Sequence, residues 1–326
     1  MPQLKSSRCP TLDWLDLFLP CFTVPDKYSF QSCTVTLLML APYPDSTEIS
    51  LTMRPLLHPL FQQVTSGISE HTFANVYLFR NTHKYRATRL NDGTIAILGH
   101  GKEPFFMLPF SLPKRELLRQ LFTDQGMAKC VSSAQKPLLE QQGYLLEEDR
   151  DNFDYLYLRH DLAELAGRQF HKKRNLVKAF VNSHDYRAQP LTENYLHQAI
   201  EVLDAWQGDT SRGADYLAAK EALLRMEELQ LCGGIYFVED TPVAYVLGEE
   251  LAGGGSFAIH FEKAVPGYKG LYQFINQSFA SVLPESYQTV NREQDLGIPG
   301  LRKAKLSYNP TGFIKKYRAF AQKSAQ

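Results

Sequence analysis

From Met53 onward the chain alternates between hydrophobic patterns of helical and of strand spacing. Leu56, Leu57, Leu60 and Phe61 recur at intervals of three and four, which predicts a helix. The pattern then predicts strands at 76–79, 85–90, 94–98 and 104–109, helices at 114–124 and 133–142, and a strand at 153–159.

The second half of the chain repeats this order. The pattern predicts a helical region at 161–182, a strand at 186–191, helices at 193–206 and 214–229, a hairpin at 234–238 and 243–248, and a strand at 255–261. A helix at 268–282, a strand at 287–291, a helix at 296–306 and a strand at 313–317 complete it. This arrangement predicts an α/β protein of two tandem units, each with a mixed central sheet flanked by helices.

The first fifty-two residues show no sustained period of either kind. They hold six of the eighteen prolines and three of the five cysteines. We therefore predict a poorly ordered extension at 1–52, with Met53 as an alternative start of translation, an N-terminal domain at 53–160 and a C-terminal domain at 161–326.

The composition is that of an ordinary globular protein, with 44% hydrophobic and 21% charged residues. No apolar stretch approaches the ~20 residues of a membrane helix, so a soluble, cytoplasmic protein without an integral membrane segment is expected. No two of the five cysteines form a CxxC pair, and no zinc or other metal site is predicted.

The formal net charge of +0 conceals charges that are segregated along the chain. Residues 167–178 contain Lys172, Lys173 and Arg174 and no acid, residues 291–326 are mostly basic, and residues 193–250 are mostly acidic. The basic segments are typical either of a solvated face or of a surface for a phosphate-bearing partner such as a nucleic acid.

A third candidate segment is the passage from strand to helix at 256–276. Strand alternation puts His260 and Glu262 on one face, which is a plausible acid/base position. Gly270 and Lys269 stand at the start of the following helix, where free backbone N–H groups favour a phosphate. An ordinary surface pair and an ordinary helix entry are the alternative interpretation.

Several stretches resemble one known family. YLYLRHDLAELAGRQFHKKRNLVKAF, GIYFVEDTPVAYVLGEEL, IHFEKAVPGYKGLYQFIN and VNREQDLGIPGLRKAKLSYNP are similar to the C-terminal domain of lysylphosphatidylglycerol synthases (phosphatidylglycerol lysyltransferases), in its small stand-alone bacterial branch. The resemblance covers about 53–317. It implies two tandem domains of the Gcn5-related N-acetyltransferase type, the acyl-CoA N-acyltransferase fold.

The resemblance also implies chemistry. Members of the family move an aminoacyl group from a charged tRNA to a lipid head group. The related Fem-type ligases move aminoacyl groups to cell-wall precursors. The donor is then held in a cleft between strand 255–261 and strand 287–291, where positive groups position it and stabilise the developing oxyanion.

The resemblance assigns roles to individual residues. Lys305 would contact the donor's acyl or phosphate groups, with Arg302 and Lys303 as further phosphate contacts and Asn291 at the end of the opposite wall. His260 and Glu262 are the candidate acid and base, and the segment with Lys172, Lys173 and Arg174 is a second contact to tRNA.

One departure from the acetyltransferase pattern concerns the donor. Tyr272 stands where coenzyme A users carry a second small residue after Gly270, and its bulk obstructs a pyrophosphate. The sequence thus predicts an acyl- or aminoacyltransferase that needs no cofactor, with an aminoacyl-tRNA donor and a small-molecule, peptide or lipid-head-group acceptor. The alternatives are an acyl-CoA-dependent N-acyltransferase and a non-catalytic binding module that retains the fold.

Overall fold

The computed structural model describes residues 40–208 and 213–322. They form two seven-stranded mixed sheets with helices packed on them. The prediction of a poorly ordered extension lies, for residues 1–39, outside the described residues.

The first sheet has the strand order β1-β2-β3-β4-β5-β14-β6. Its strands are β1 (Thr47–Glu48), β2 (Arg86–Arg89), β3 (Ile95–His100), β4 (Pro104–Met107), β5 (Met127–Val131), β6 (Tyr144–Glu148) and β14 (Tyr317–Ala321). Its helices are α1 (Arg54–Gln62), α2 (Phe73–Leu78), α3 (Arg80–His83), α4 (Arg115–Gln125) and α5 (Gln135–Gln141).

The second sheet has the order β13-β7-β12-β11-β10-β9-β8. Its strands are β7 (Asp154–Leu158), β8 (Tyr186–Pro190), β9 (Cys232–Val238), β10 (Thr241–Leu251), β11 (Ser256–Ala264), β12 (Thr289–Asn291) and β13 (Gly312–Ile314). Its helices are α6 (Arg159–Glu164), α7 (His171–Ser183), α8 (Leu196–Gln207), α9 (Gly213–Leu224), α10 (Met226–Leu229), α11 (Leu271–Val282) and α12 (Pro299–Leu306).

The two sheets exchange strands, so the halves of the sequence are not the halves of the structure. Strand β7, which the sequence placed at the end of the N-terminal domain, pairs with β12 and β13 in the second sheet. Strand β14, at the end of the chain, pairs with β5 and β6 in the first sheet. The predicted boundary at 160 therefore cuts after a strand that belongs to the second sheet.

Residues 40–52 are ordered, contrary to the prediction. Strand β1 pairs with β2 through Thr47 opposite Ala87, and Leu40 and Ile49 are buried in the core. The many prolines of this stretch indicated disorder. The stretch instead forms an edge strand and the segment that leads into it, and both tolerate proline.

Three local predictions are also wrong. Of the predicted strand at 76–79, residues 76–78 belong to helix α2 and Phe79 is its C-cap. Thr72 caps the start of α2 through a 3.0 Å hydrogen bond from Asn75 N to its Oγ1. Every residue of α2 is buried, so it lacks the polar face by which helices are recognised. Strands β5 and β6 were missed, and the helical region at 161–182 is broken at Leu165, which has a φ of 50°.

One hydrophobic core joins the two sheets. It includes Ile97 and Phe105 from the first sheet and Ile235 and Phe261 from the second. Within the described ranges, no helix is long and apolar enough to cross a membrane.

A buried ion pair lies at the point where the chain crosses from the second sheet to the first. Lys316 stands between β13 and β14, and its ammonium contacts Asp154 Oδ1 at 2.6 Å and the carboxylate of Glu70. Both Lys316 and Asp154 are at most 1% exposed. Burial opposes the charge on Lys316, but the two carboxylates outweigh it and raise its pKa. Ser69 N and Asn291 Nδ2 donate to Asp154 Oδ2 at 2.9 and 3.1 Å.

Replacement of Lys316 by methionine is expected to lower the free energy of unfolding by about 3–5 kcal/mol, because it leaves the Asp154 carboxylate buried without its cation. Chemical denaturation measures the change. The neighbour Lys315 is the matched control: it pairs with Glu148 at the surface, and its replacement by methionine should have a much smaller effect. Equal losses in the two variants would show that the buried pair does not secure the crossing strand.

Candidate active site

The centre of the second sheet opens between β11 and β12. The two strands run parallel and in register at only three positions, from Ser256 opposite Thr289 to Ala258 opposite Asn291. Beyond them β12 ends, while β11 continues to Ala264. This split lies between the walls that the resemblance assigned to the donor cleft.

A β-bulge at His260 changes which side chains face the split. Leu247 of β10 pairs with Phe261 and the next residue, Gly248, pairs with Ile259, so His260 is the extra residue. Ile259 and Phe261 consequently lie in two different hydrophobic clusters. The expectation from strict alternation, that His260 and Glu262 share a face, is therefore wrong.

His260 lies between two carboxylates. Its Nε2 is 2.9 Å from Glu249 Oε1 and its Nδ1 is 2.8 Å from Glu293 Oε1, and its side chain is 1% exposed. Burial opposes the charge, but the hydrogen bonds to the two carboxylates outweigh it and raise the pKa of His260 to about 10. The imidazole is thus a buried cation at neutral pH and has no free nitrogen with which to act as a general base.

Glu262 is also paired. Arg292 Nη2 donates to both of its carboxylate oxygens, at 3.0 and 3.1 Å. The Asn276 amide, oriented by its hydrogen bonds, accepts from Arg292 Nη1 at 3.1 Å. The guanidinium carbon lies 5.0 Å from the centroid of the Tyr308 ring. Arg292, Glu262 and Tyr308 together line the split with a fixed ion pair beside an aromatic ring.

Lys305 donates to the loop that follows β12. Its Nζ is 2.5 Å from the carbonyl oxygen of Arg292, 3.0 Å from that of Glu293 and 2.6 Å from that of Gln294. These contacts use all three donors of the ammonium group. Burial, followed by the charge of Arg292, lowers the pKa of Lys305 to about 8. Lys305 therefore shapes the end of the split, and the predicted direct contact to a donor substrate is not available in this geometry.

Three other predicted contacts are engaged inside the protein. Arg302 binds Asp295 through two hydrogen bonds of 2.8 Å and Asp151 through one of 2.7 Å. Arg174 donates to the carbonyl oxygens that follow α6, including that of Gly167 at 2.6 Å. Asn291 is fully buried and holds Asp154. The structure gives these side chains structural roles.

Other lysines are exposed on helices and a loop next to the strands of the split. Lys172 of α7, Lys269 before α11 and Lys303 of α12 are exposed, and none has an ion-pair partner among residues 40–208 and 213–322. Lys173, one residue further along α7, bonds Ser307 Oγ at 2.7 Å and lies 3.9 Å from the centroid of Tyr308.

Helix α7 is what brings these lysines together. Its Lys173 reaches the end of α12, and its middle turn packs against Gly270 at the start of α11. A Cβ on Gly270 would lie 2.2 Å from the carbonyl oxygen of Leu176, and the φ of Gly270 is 87°. Only glycine fits this position. We call Lys172, Lys173, Lys269 and Lys303 the lysine rim.

Tyr272 lies in the first turn of α11, where a pyrophosphate would approach in a coenzyme A enzyme. Burial raises its pKa, and hydrogen bonds from the backbone of Ala264 and from Trp206 oppose that shift. Its ring is thus held between the end of β11 and α8, and it is 40% exposed. Tyr272 occupies space beside the backbone N–H groups that would bind a pyrophosphate.

Sequence reasoning missed Arg292, Glu293 and Glu249 as members of the site. One signal was present in the sequence: Glu249 follows an apolar run within a strand, and a buried carboxylate requires a partner. Nothing in the sequence identified His260 as that partner. In the described part of the chain, no group of three or more His, Cys, Asp or Glu side chains is placed to hold a metal ion.

Two mixed sheets flanked by helices, with a split between parallel and diverging central strands, define a tandem acyltransferase fold of the Gcn5-related type. The chain belongs to the family described as phosphatidylglycerol lysyltransferase, C-terminal, whose model matches residues 61–320. Family and fold relate it to the aminoacyl- and acyltransferases of the lysylphosphatidylglycerol synthase kind.

Three other proteins are similar to this chain. A conserved protein of unknown function from Bacteroides thetaiotaomicron is 30% identical, with a TM-score of 0.78 over 85% of this chain and 99% of that one. L-PGS from Bacillus licheniformis is 14% identical, with a TM-score of 0.53 over 74% of this chain and 85% of that one, and shows the shared fold. An uncharacterized protein of Mycoplasmoides gallisepticum is 24% identical over 181 residues, which span 53% of this chain and 57% of that protein.

The state of His260 predicts a pH dependence of stability. Its folded pKa is raised, so its contribution is fully present below the unfolded value of about 6.5 and is lost as the pH rises towards about 10. The difference in free energy of unfolding between the wild type and His260→Gln should therefore shrink from pH 6 to pH 10, as measured by urea denaturation. The exposed His197 is the control position. A difference that is constant or grows over this range would contradict a buried imidazolium.

Proposed function

We propose that this protein transfers an aminoacyl group from an aminoacyl-tRNA-type donor to an amine or hydroxyl acceptor. The lysine rim around the split of the second sheet is the observation that carries the proposal. Together with membership in the phosphatidylglycerol lysyltransferase family, it favours a donor that carries several phosphates. The acceptor is a small molecule, a peptide or a lipid head group.

In this reaction the protein positions the two substrates and supplies positive charge near the reacting carbonyl. The acceptor nitrogen or oxygen forms a bond to the carbonyl carbon of the aminoacyl ester, and the bond from that carbon to the ribose oxygen breaks. One proton passes from the acceptor to the departing ribose oxygen, so the atoms and charges balance. Lys173, beside the Tyr308 ring at the mouth of the split, is suited to stabilise the oxyanion that develops.

Neither His260 nor Glu262 fits a general base in this proposal. The first is a buried cation between two carboxylates, and the second accepts two hydrogen bonds from Arg292. An amine acceptor that arrives unprotonated attacks an activated ester without such a base, and the substrate's own ribose hydroxyl is a route for the proton.

The second candidate function is acyl transfer from coenzyme A. The start of α11 corresponds to the pyrophosphate position of a coenzyme A enzyme, but its first turn carries the bulky Tyr272 in place of a small residue. The third candidate is a binding module, which would bind a phosphate-bearing partner through the lysine rim without catalysing a transfer. Calorimetry with coenzyme A and the rate of deacylation of aminoacyl-tRNA separate these candidates from the leading one.

The lysine rim predicts the response of tRNA binding to mutation. The triple variant Lys172→Ala, Lys269→Ala, Lys303→Ala should bind bulk or charged tRNA at least about tenfold more weakly at moderate salt. The plot of log affinity against log salt should also become less steep, its slope falling in magnitude by about 2–3. Each lost phosphate contact reduces that magnitude by about 0.7–0.9. Filter binding across a salt series measures both.

A matched triple variant replaces Lys102, Lys114 and Arg115, which are equally exposed but lie on the first-sheet half. It should bind tRNA as the wild type does. Absence of tRNA binding by the wild-type protein, or equal losses in the two triple variants, would overturn the proposed donor. Micromolar binding of coenzyme A in that case would favour the second candidate.

A further inference from the structure

Glu293, two residues after the end of β12, has a backbone conformation that is rare for glutamate. Its φ is 54°, in the left-handed region that favours glycine. A residue held in this region costs free energy, persists only where its surroundings fix it, and is found disproportionately at functional sites. The strained residue stands where the split opens, because β12 ends at Asn291 and the intervening Arg292 lines the split.

Four contacts hold Glu293 in this conformation. Its N–H donates to Asn291 Oδ1 at 2.8 Å. Its carbonyl oxygen accepts from Tyr155 N at 3.2 Å and from Lys305 Nζ at 3.0 Å. Its carboxylate accepts from His260 Nδ1 at 2.8 Å. Both backbone polar groups and the side chain are therefore engaged, and together they stabilise a conformation that glutamate alone would avoid.

The contact with His260 ties this loop to the centre of the second sheet. His260 is the extra residue of the bulge in β11, and Glu249 of β10 binds its other ring nitrogen at 2.9 Å. Two paired strands thus set the position of the imidazolium. Glu293 binds that fixed cation, so the ion pair anchors residues 292–294 to the strands.

Arg292 carries the position of this loop to the mouth of the split. Its guanidinium carbon lies 5.0 Å from the centroid of the Tyr308 ring, and Lys173 Nζ lies 3.9 Å from the same centroid. Burial lowers the pKa of Lys173, and the charge of Arg292 lowers it further. A shift of residues 292–294 would therefore change the charge around the ammonium that is suited to stabilise the oxyanion.

We propose that Glu293 is a positioning residue for the donor substrate. Held by His260, it keeps residues 292–294 in the strained form that places Arg292 beside Tyr308 and Lys173, where the aminoacyl ester of the donor would lie. Glu293 does not touch the reacting atoms and acts through Arg292. The inference rests on the proposed function, because it names the residue that arranges the mouth of the split for that donor.

The chain offers a matched control at its other buried cation. Lys316, like His260, is held by two carboxylates, and Glu70 is one of them. The side chains of Glu70 and Glu293 are 12% and 17% exposed. Glu70→Gln and Glu293→Gln thus remove the same charge from a buried cation, and a role in stability alone predicts similar effects for the two variants.

The first measurement compares the affinities of the full-length protein for aminoacylated bulk tRNA and for the same tRNA after deacylation, by filter binding. The wild type and Glu70→Gln should prefer the aminoacylated form about fivefold or more, roughly the effect of one hydrogen bond. Glu293→Gln should lose the preference and keep the salt dependence, because the lysine rim is unchanged. A wild type without the preference, equal losses in the two variants, or a preference retained by Glu293→Gln would overturn the proposal.

The second measurement needs no tRNA. An NMR titration of lysines labelled with carbon-13 at Cε follows Lys173, whose signal is identified by its loss in Lys173→Arg. It should titrate below the ordinary lysine pKa in the wild type and in Glu70→Gln. In Glu293→Gln its pKa should move towards the ordinary value, because Arg292 is no longer held beside it.

An unchanged Lys173 titration in Glu293→Gln would overturn the proposal whether or not the protein binds tRNA. A changed titration in a protein that binds no tRNA would show that Glu293 positions Arg292 and would refute the proposed donor alone. The two failures are therefore distinguishable.

Glu293→Asn decides the question if Glu293→Gln does not fold. Asparagine tolerates the left-handed conformation, and its side chain is one carbon shorter, so it should lose the contact with His260 and little else. Its effects on both measurements should match those expected for Glu293→Gln. A wild-type preference for aminoacylated tRNA together with a wild-type Lys173 titration in this variant would overturn the proposal.

Discussion

The buried contact between Lys316 and Asp154 is the constraint on which the arrangement of both sheets depends. Lys316 is the residue at which the chain leaves the second sheet and enters the first, while Asp154 begins the strand that was exchanged in the other direction. A buried charge that loses its partner is strongly destabilising. The ion pair therefore holds the crossing point at one register, and an alternative pairing of β7 or β14 would leave both charges buried and unpaired.

A continuous series of polar contacts runs from this pair to the candidate site. Asn291 donates to Asp154 and accepts from Glu293 N at 2.8 Å, and Glu293 in turn holds His260, which holds Glu249. The end of β12, the bulge of β11 and the end of β10 are thus fixed by one network. Such a network specifies a single geometry because each member left unpaired would be costly.

The sequence was sufficient for the elements whose pattern is local. Strands β2 and β3 and the amphipathic helix α4 follow from strand alternation and helical period alone. Helix α2 was misassigned because it is buried on every side. The exchange of β7 and β14 was not predictable, because pairing between strands that lie more than about 130 residues apart leaves no local trace in the sequence. At His260, one extra residue in a strand reversed the faces that alternation had assigned.

Only some of the residues in the basic segments contribute positive charge to the protein surface. Arg174, Arg302 and Lys305 stand in the same basic segments as Lys172 and Lys303, but they neutralise buried carboxylates or satisfy backbone carbonyls. Lys172, Lys269 and Lys303 each come from a different helix or loop. Their elements are brought together by the packing of α7 against α11 and by the hydrogen bond from Lys173 to Ser307 at the end of α12. Recognition of an anionic donor would then be a property of that packing, and it would depend on the close contact of Gly270 with the α7 backbone as well as on the lysines.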